Sequence, residues 1–158
     1  MKNIVSQIHK LLVKKTLTVA AAESCTGGIL SGILTSLSGS SKYFKLGVVV
    51  YSNEAKQRIL KIPAKVIDAE GAVSAKVAGL MAEAVRKTAR TDFGIGITGI
   101  AGPSGGTDRK PVGTVYIAVA SAGKTVCLKR IFKGSRGSIR KQSALKTLEL
   151  LRENIHRH

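Results

Sequence analysis

Glu23-Ser24-Cys25-Thr26-Gly27-Gly28 is the stretch of this 158-residue chain with the clearest capacity for chemistry. A β-leaning apolar run, Leu17 to Ala22, leads into it. A run at helical spacing (Ile29, Leu30, Ile33, Leu34, Leu37) leads out. Small and hydroxylated residues at a strand-to-helix turn leave backbone N–H groups free at the start of a helix, where an anion or a developing oxyanion is favoured. Gly27 and Gly28 let a ligand or another backbone approach with no Cβ in the way. Ser24 in this place can act as a nucleophile above a ready donor set, with Glu23, Cys25, Thr26, Gly27 and Gly28 beside a bound substrate. A structural reading also fits: Ser24 or Thr26 caps the helix and the glycines ease packing.

A serine needs a base before it attacks a carbonyl. His9 lies on an N-terminal helical pattern and His156 and His158 in the C-terminal tail, so no histidine is suitably placed. Lysine can serve if burial or neighbouring cations lower its pKa. Tyr51-Ser52-Asn53-Glu54-Ala55-Lys56 sets a Tyr and a Lys five residues apart across a strand end and a first helical turn. Both can point back at Ser24, Lys56 as base and Tyr51 as orienter or proton relay. The alternative is a solvated lysine on a short surface helix and a tyrosine closing the rim of the core.

Four glycines and a proline fall within Gly99 to Gly106, so this stretch is a loop, of a kind that often wraps an anion. Gly99, Gly102, Gly105 and Gly106 are its candidate backbone contacts. It is not a Walker A loop, and it does not open a helix as a dinucleotide-binding GxGxxG does, because a strand follows. A long structural connection is the other reading. Arg136 and Arg140, four apart at the start of the last helical pattern, share a face and can pair with a phosphate, or lie solvated.

The elements that must position these residues can be read in order. Residues 3–14 form an amphipathic helix, and Thr16 to Ala22 a strand ahead of the turn. The next helix runs to about Leu37 and is broken by Ser38-Gly39-Ser40-Ser41. Phe44 to Ser52 is a second strand, with a near-continuous apolar run of the kind covered on both faces. A short helix opens at Asn53 and stops before Pro63, and a long one begins near Ser74, a good N-cap. Asp92 to Ile97 is a third strand. Val112 to Ser121 and Lys124 to Phe132 form an antiparallel hairpin about Ala122-Gly123. A last helix carries Ala144, Leu145, Leu148, Leu151 and Ile155. Strands alternating with helices, plus one hairpin, predict a three-layer α/β/α sandwich with a mixed, mostly parallel sheet. In such sheets ligands sit beyond the carboxyl ends of the strands, where the three candidate segments should converge.

Composition narrows the classes. The chain is one domain's length and 44% hydrophobic, which excludes disorder. No apolar run reaches the ~18–20 residues of a membrane span, and no secretory leader is visible, so a cytoplasmic protein without membrane attachment is expected. Two cysteines, Cys25 and Cys127, do not make a disulfide framework or a metal cluster, and no metal or cofactor is expected. The 26 Lys and Arg against 9 Asp and Glu give a formal net charge of +17, which attracts phosphate in any form. With no Trp, three Tyr and three Phe for stacking, the charge favours an anion binder over a reader of nucleic acid.

These residues together resemble the CinA C-terminal domain family of nicotinamide mononucleotide deamidases. The resemblance rests on AESCTGG (Ala22 to Gly28), GVVVYSNEAK (Gly47 to Lys56), GAVS (Gly71 to Ser74), GIAGPSGGT (Gly99 to Thr107), KPVGTVY (Lys110 to Tyr116) and the Phe132 to Arg136 stretch. It implies hydrolysis of the nicotinamide carboxamide of the mononucleotide, giving nicotinate mononucleotide and ammonia. It also implies a serine nucleophile with lysine and tyrosine at Ser24, Lys56 and Tyr51, and site positions at Thr98 and Arg136. The implied fold is a three-layer sandwich with a five-stranded mixed sheet, in an enzyme expected to form a homo-oligomer. Many relatives carry an N-terminal molybdopterin-binding-like domain, and residues 1–158 read as the C-terminal domain without it. After GAVS the family commonly has an acidic residue; here Ala75 and Lys76 follow. The rival expectation is a non-catalytic anion- or nucleic-acid-binding module on the same scaffold, in keeping with the basic excess and the family's association with competence and DNA damage.

Overall fold

The computed structural model describes residues 2–158. In chain order the elements are α1 (Lys2–Lys15), β1 (Val19–Glu23), α2 (Ile29–Leu34), β2 (Phe44–Val49), α3 (Asn53–Leu60), α4 (Ala64–Glu70), α5 (Ala75–Ala89), β3 (Phe93–Gly99), β4 (Thr114–Ser121), β5 (Lys124–Ile131) and α6 (Arg136–Arg157), with a single 3-10 turn at Ser40–Lys42 before β2. The five strands form one mixed sheet in the order β2-β1-β3-β4-β5. β1 pairs parallel with β2 and β3, and β4 runs antiparallel to both β3 and β5. Four strands thus point one way and β4 alone is reversed. This is the expected α/β sandwich with its C-terminal hairpin.

Alternation along the strands splits the core into two layers. Val19 and Ala21 of β1, with Phe93, Ile95 and Ile97 of β3, face α1, α2 and α6, and pack with Ile8, Leu12, Leu30, Leu148 and Leu151. Ala20 and Ala22 face the opposite way onto Val77, Met81 and Val85 of α5. The α5 side is built from small residues so that the helix can lie close. A Cβ added at Gly96 would stand 2.2 Å from the Ala78 carbonyl oxygen and 2.7 Å from the Ala82 nitrogen. Neither is a side chain that can swing away. Gly96→Ala is therefore expected to destabilise the fold by about 3 kcal/mol or more through forced separation of α5 from β3, read as a lower urea midpoint at unchanged m-value.

Several boundaries differ from the sequence expectation. β1 starts at Val19 rather than Thr16, because Thr16 takes a left-handed conformation (φ 56°) and Leu17 N–H still bonds back to the Leu12 carbonyl at the end of α1. α2 stops at Leu34: Thr35 Oγ1 and Ser36 Oγ donate to the Ser31 and Ile33 carbonyls and close its last turn early. Helix α4 was not expected. It is a short segment between Pro63 and Gly71 with Ile67 as its buried anchor. β2 is not covered on both faces. As an edge strand paired only with β1, it alternates half-buried and exposed residues, and Val49 is 48% exposed. Among the described residues no helix is long and apolar enough to cross a membrane.

The crossovers from β1 to β2 and from β2 to β3 go to opposite sides of β1. This makes the carboxyl end of β1 the switch point of the sheet, where a crevice opens. The ends of β1, β2 and β3 and the start of α6 all meet there.

Candidate active site

Ser24 follows directly on β1, its N–H held by the Ile97 carbonyl of β3 at 2.9 Å. Lys56 is one turn into α3. Ser52 caps that helix by accepting from Ala55 N–H at 3.0 Å, which sets the first turn against the end of β2. The two side chains meet: Lys56 Nζ lies 3.1 Å from Ser24 Oγ, with residue Lys56 2% and Ser24 7% exposed. The Val50, Tyr51 and Ser52 carbonyls surround the same nitrogen at 3.1, 3.4 and 3.5 Å. Among the described residues Lys56 has no carboxylate within ion-pair distance. Burial accordingly holds its pKa below the ordinary lysine value, with the neighbouring Cys25 acting in the opposite sense.

A cavity of about 290 Å³ opens over this pair. Cys25, Tyr51, Thr98, Gly99, Gly102, Gly105 and Arg136 line it with Ser24 and Lys56. Burial pushes the Cys25 thiol up to about 12, so it stands in the cavity wall as a neutral group. Thr98 Oγ1 donates to the Ala72 carbonyl at 2.8 Å, joining β3 to the 71–74 segment ahead of α5. That segment and Asn53 also line the cavity, and the sequence reading had not placed them there. Asn53 carried a usable signal in its position between Tyr51 and Lys56. Ala72 and Val73 carried one only in the GAVS motif, because their placement depends on α4.

Some expected contacts are differently made. The Tyr51 hydroxyl does not bond to Ser24 or Lys56. It is 58% exposed, and Arg136 Nη2 donates to it at 2.6 Å while Arg136 Nη1 donates to the Gly102 carbonyl at 2.7 Å. Tyr51 reaches Lys56 through its carbonyl instead. Gly106, Thr26, Gly27, Gly28 and Arg140 do not line the cavity. Arg140 donates to the Cys25 and Thr26 carbonyls rather than standing free for a phosphate.

Glu23 also departs from the expectation that it would lie beside the substrate. Its carboxylate, fully buried, accepts from the Gly28, Leu30 and Ser31 N–H groups and from the Ser31 hydroxyl at 2.6–3.1 Å. The start of α2 is thus occupied by the chain's own anion, the favourable place for one. Glu23→Gln keeps one acceptor oxygen where two now serve four donors. It should cost about 2–3 kcal/mol of unfolding free energy, measurable by urea titration.

Among the described residues no group of three or more His, Cys, Asp and Glu is gathered closely enough to hold a metal ion. The profile of the CinA C-terminal domain family matches residues 1–155. The chain belongs to that family. It is similar to a CinA-like protein of Anaeromyxobacter dehalogenans (strain 2CP-C), 52% identical over 134 residues that make up 85% of this chain and 33% of that protein. The chain spans about a third of the length of the curated relatives it matches. Among solved structures it resembles the competence damage-inducible protein A of Klebsiella pneumoniae, at TM-score 0.94 and 29% identity over 98% of this chain and 96% of that one. It also resembles the competence/damage inducible protein CihA of Agrobacterium tumefaciens, at TM-score 0.91 and 36% identity over 94% and 92%. In this CinA domain AESCTGG contributes Ser24, GVVVYSNEAK contributes Tyr51 and Lys56, and GIAGPSGGT contributes the Gly-rich wall, all to one crevice.

Proposed function

We propose that this CinA domain is an amidohydrolase that converts nicotinamide mononucleotide to nicotinate mononucleotide and ammonia. The observation that carries the reading is a buried lysine amine, 3.1 Å from a serine hydroxyl and without a carboxylate partner. A lysine in that environment holds a larger neutral fraction near pH 7 than a solvated one, and neutral amine is what a general base requires. Its lone pair accepts from the Ser24 O–H, and its two remaining protons have the surrounding backbone carbonyls to meet.

Ser24 Oγ attacks the carboxamide carbon and transfers its proton to Lys56. The carbonyl electron pair moves onto oxygen, stabilised by turn N–H groups that stay free, a term worth about 2.7–4 kcal/mol for a single donor in a measured case. The tetrahedral species collapses as Lys56 returns the proton to the departing nitrogen, and ammonia leaves. Water, deprotonated by Lys56, then attacks the acyl ester and frees the carboxylate and Ser24. Arg136, at the cavity mouth between Tyr51 and the Gly-rich loop, is the guanidinium available to the 5′-phosphate. The cavity is at the small end of the ~300–1,000 Å³ range of ligand sites, suited to the pyridine ring with ribose and phosphate reaching the rim.

The test is ammonia release from nicotinamide mononucleotide by the purified protein, with an acyl adduct on Ser24 sought by mass spectrometry of quenched reactions. Turnover with the adduct on the Ser24 peptide is expected. No turnover, together with DNA binding that weakens steeply with salt, would support the anion-binding module instead.

A further inference from the structure

The backbone donors after β1 are almost all spoken for. Ser24 N–H bonds to Ile97, Gly27 N–H to the Ser24 carbonyl at 3.1 Å, Ile29 N–H to the Thr26 carbonyl at 3.3 Å, and Gly28, Leu30 and Ser31 to the Glu23 carboxylate. Among the described residues this leaves the N–H groups of Cys25 and Thr26 without an acceptor in another residue. Their directions are fixed from the far side of each peptide plane, because a trans peptide aims its N–H and C=O opposite ways. The Cys25 N–H shares a peptide with the Ser24 carbonyl, which Gly27 N–H holds. The Thr26 N–H shares one with the Cys25 carbonyl, which Arg140 Nε holds at 3.2 Å. Arg140 Nη2 takes the next carbonyl, that of Thr26, at 2.8 Å.

A guanidinium is a planar, rigid fork, so two successive carbonyls on one fork cannot turn independently. Its charge on a carbonyl oxygen also polarises that peptide and strengthens the N–H at its other end. Gly27 permits the contact: a Cβ there would lie 2.9 Å from Arg140 Nη2. Arg140 itself is outside the cavity lining. We propose that Arg140 is a positioning residue that, through the Thr26–Gly27 peptide whose N–H holds the Ser24 carbonyl, orients and polarises the N–H of cavity-lining Cys25 as the oxyanion donor of Ser24. The inference rests on the amidohydrolase reading above.

The experiment compares wild type, Arg140→Ala and Arg140→Lys in the full chain. It measures kcat and KM for nicotinamide mononucleotide, and the rate at which a fluorophosphonate labels Ser24. Arg140→Ala should lower kcat by about 10²-fold, the scale of one lost oxyanion donor, with KM nearly unchanged. Ser24 labelling should slow in parallel, because the phosphonyl oxygen uses the same donor. Added ethylguanidinium should restore part of both rates, which a merely structural loss would not allow. Arg140→Lys keeps the charge but only one of the two carbonyls, should fall between the two, and carries the test if the alanine variant fails to fold. Unchanged kcat, a loss confined to KM, or slowed turnover with unslowed labelling overturns the proposal. A wild type that neither turns over nor labels at Ser24 overturns the amidohydrolase reading itself, before any Arg140 variant is compared.

Discussion

Lys56→Arg is expected to lower kcat for the amide substrate by about 10³-fold or more while the protein stays folded. General-base assistance contributes about 10²–10⁴, and a guanidinium never deprotonates in a protein, so the arginine variant forfeits all of it. The pH dependence carries the same claim. Burial holds the Lys56 pKa below that of a solvated lysine, so the rising limb of kcat/KM should lie at lower pH than the ordinary value of about 10.4. A limb that rises only there would remove Lys56 as the base. Stability moves with pH in the same sense as function. Between its lowered folded value and about 10.4, Lys56 binds more protons in the unfolded chain than in the folded one, so wild-type stability rises with pH through that window. Lys56→Met removes the buried amine that needs desolvation, and should raise Tm by about 2–4 °C, the equivalent of ~1 kcal/mol in a chain of this size. The gain should be largest below the folded pKa and fade toward pH 10.4, in thermal melts across that range.

Ser24→Ala should remove activity outright, a loss on the order of 10⁴-fold or more, as expected when the attacking atom itself is deleted. Calorimetry should find nicotinamide mononucleotide still bound with affinity close to wild type, because Arg136 and the Gly-rich wall remain. No acyl adduct should form. Cys25 cannot replace the lost nucleophile: its thiol lies next in sequence and lines the same cavity, but burial keeps it protonated. Residual turnover in Ser24→Ala that an alkylating reagent abolishes would show that this assignment of roles is wrong.

The strand–turn–helix around Ser24, the hairpin, the Ser74 cap and the convergence of three segments were all legible in the sequence, because each follows from local pattern and from the geometry of parallel sheets. The aim of individual side chains was not. Arg136 and Arg140 share a helix face as their spacing predicts, yet one guanidinium goes to Tyr51 and Gly102 and the other to Cys25 and Thr26. Helical periodicity fixes a face and says nothing of which carbonyls lie opposite. Glu23 reads as a site residue because it adjoins the nucleophile. Alternation along β1 turns neighbouring side chains to different faces, and its carboxylate goes under α2 instead. β2 reads as doubly covered because its run of Leu46, Val48, Val49 and Val50 is apolar, and only the strand order reveals that it is an edge.

The reach of Arg140 back to a turn 114 residues earlier has a consequence for biosynthesis. A chain emerging from the ribosome presents its serine early, long before α6 exists to grip the turn that follows it. Until that helix docks, the Cys25 and Thr26 carbonyls lack the guanidinium that grips them. On the proposed roles, Ser24 gains its organised oxyanion donor only once α6 has docked on the turn.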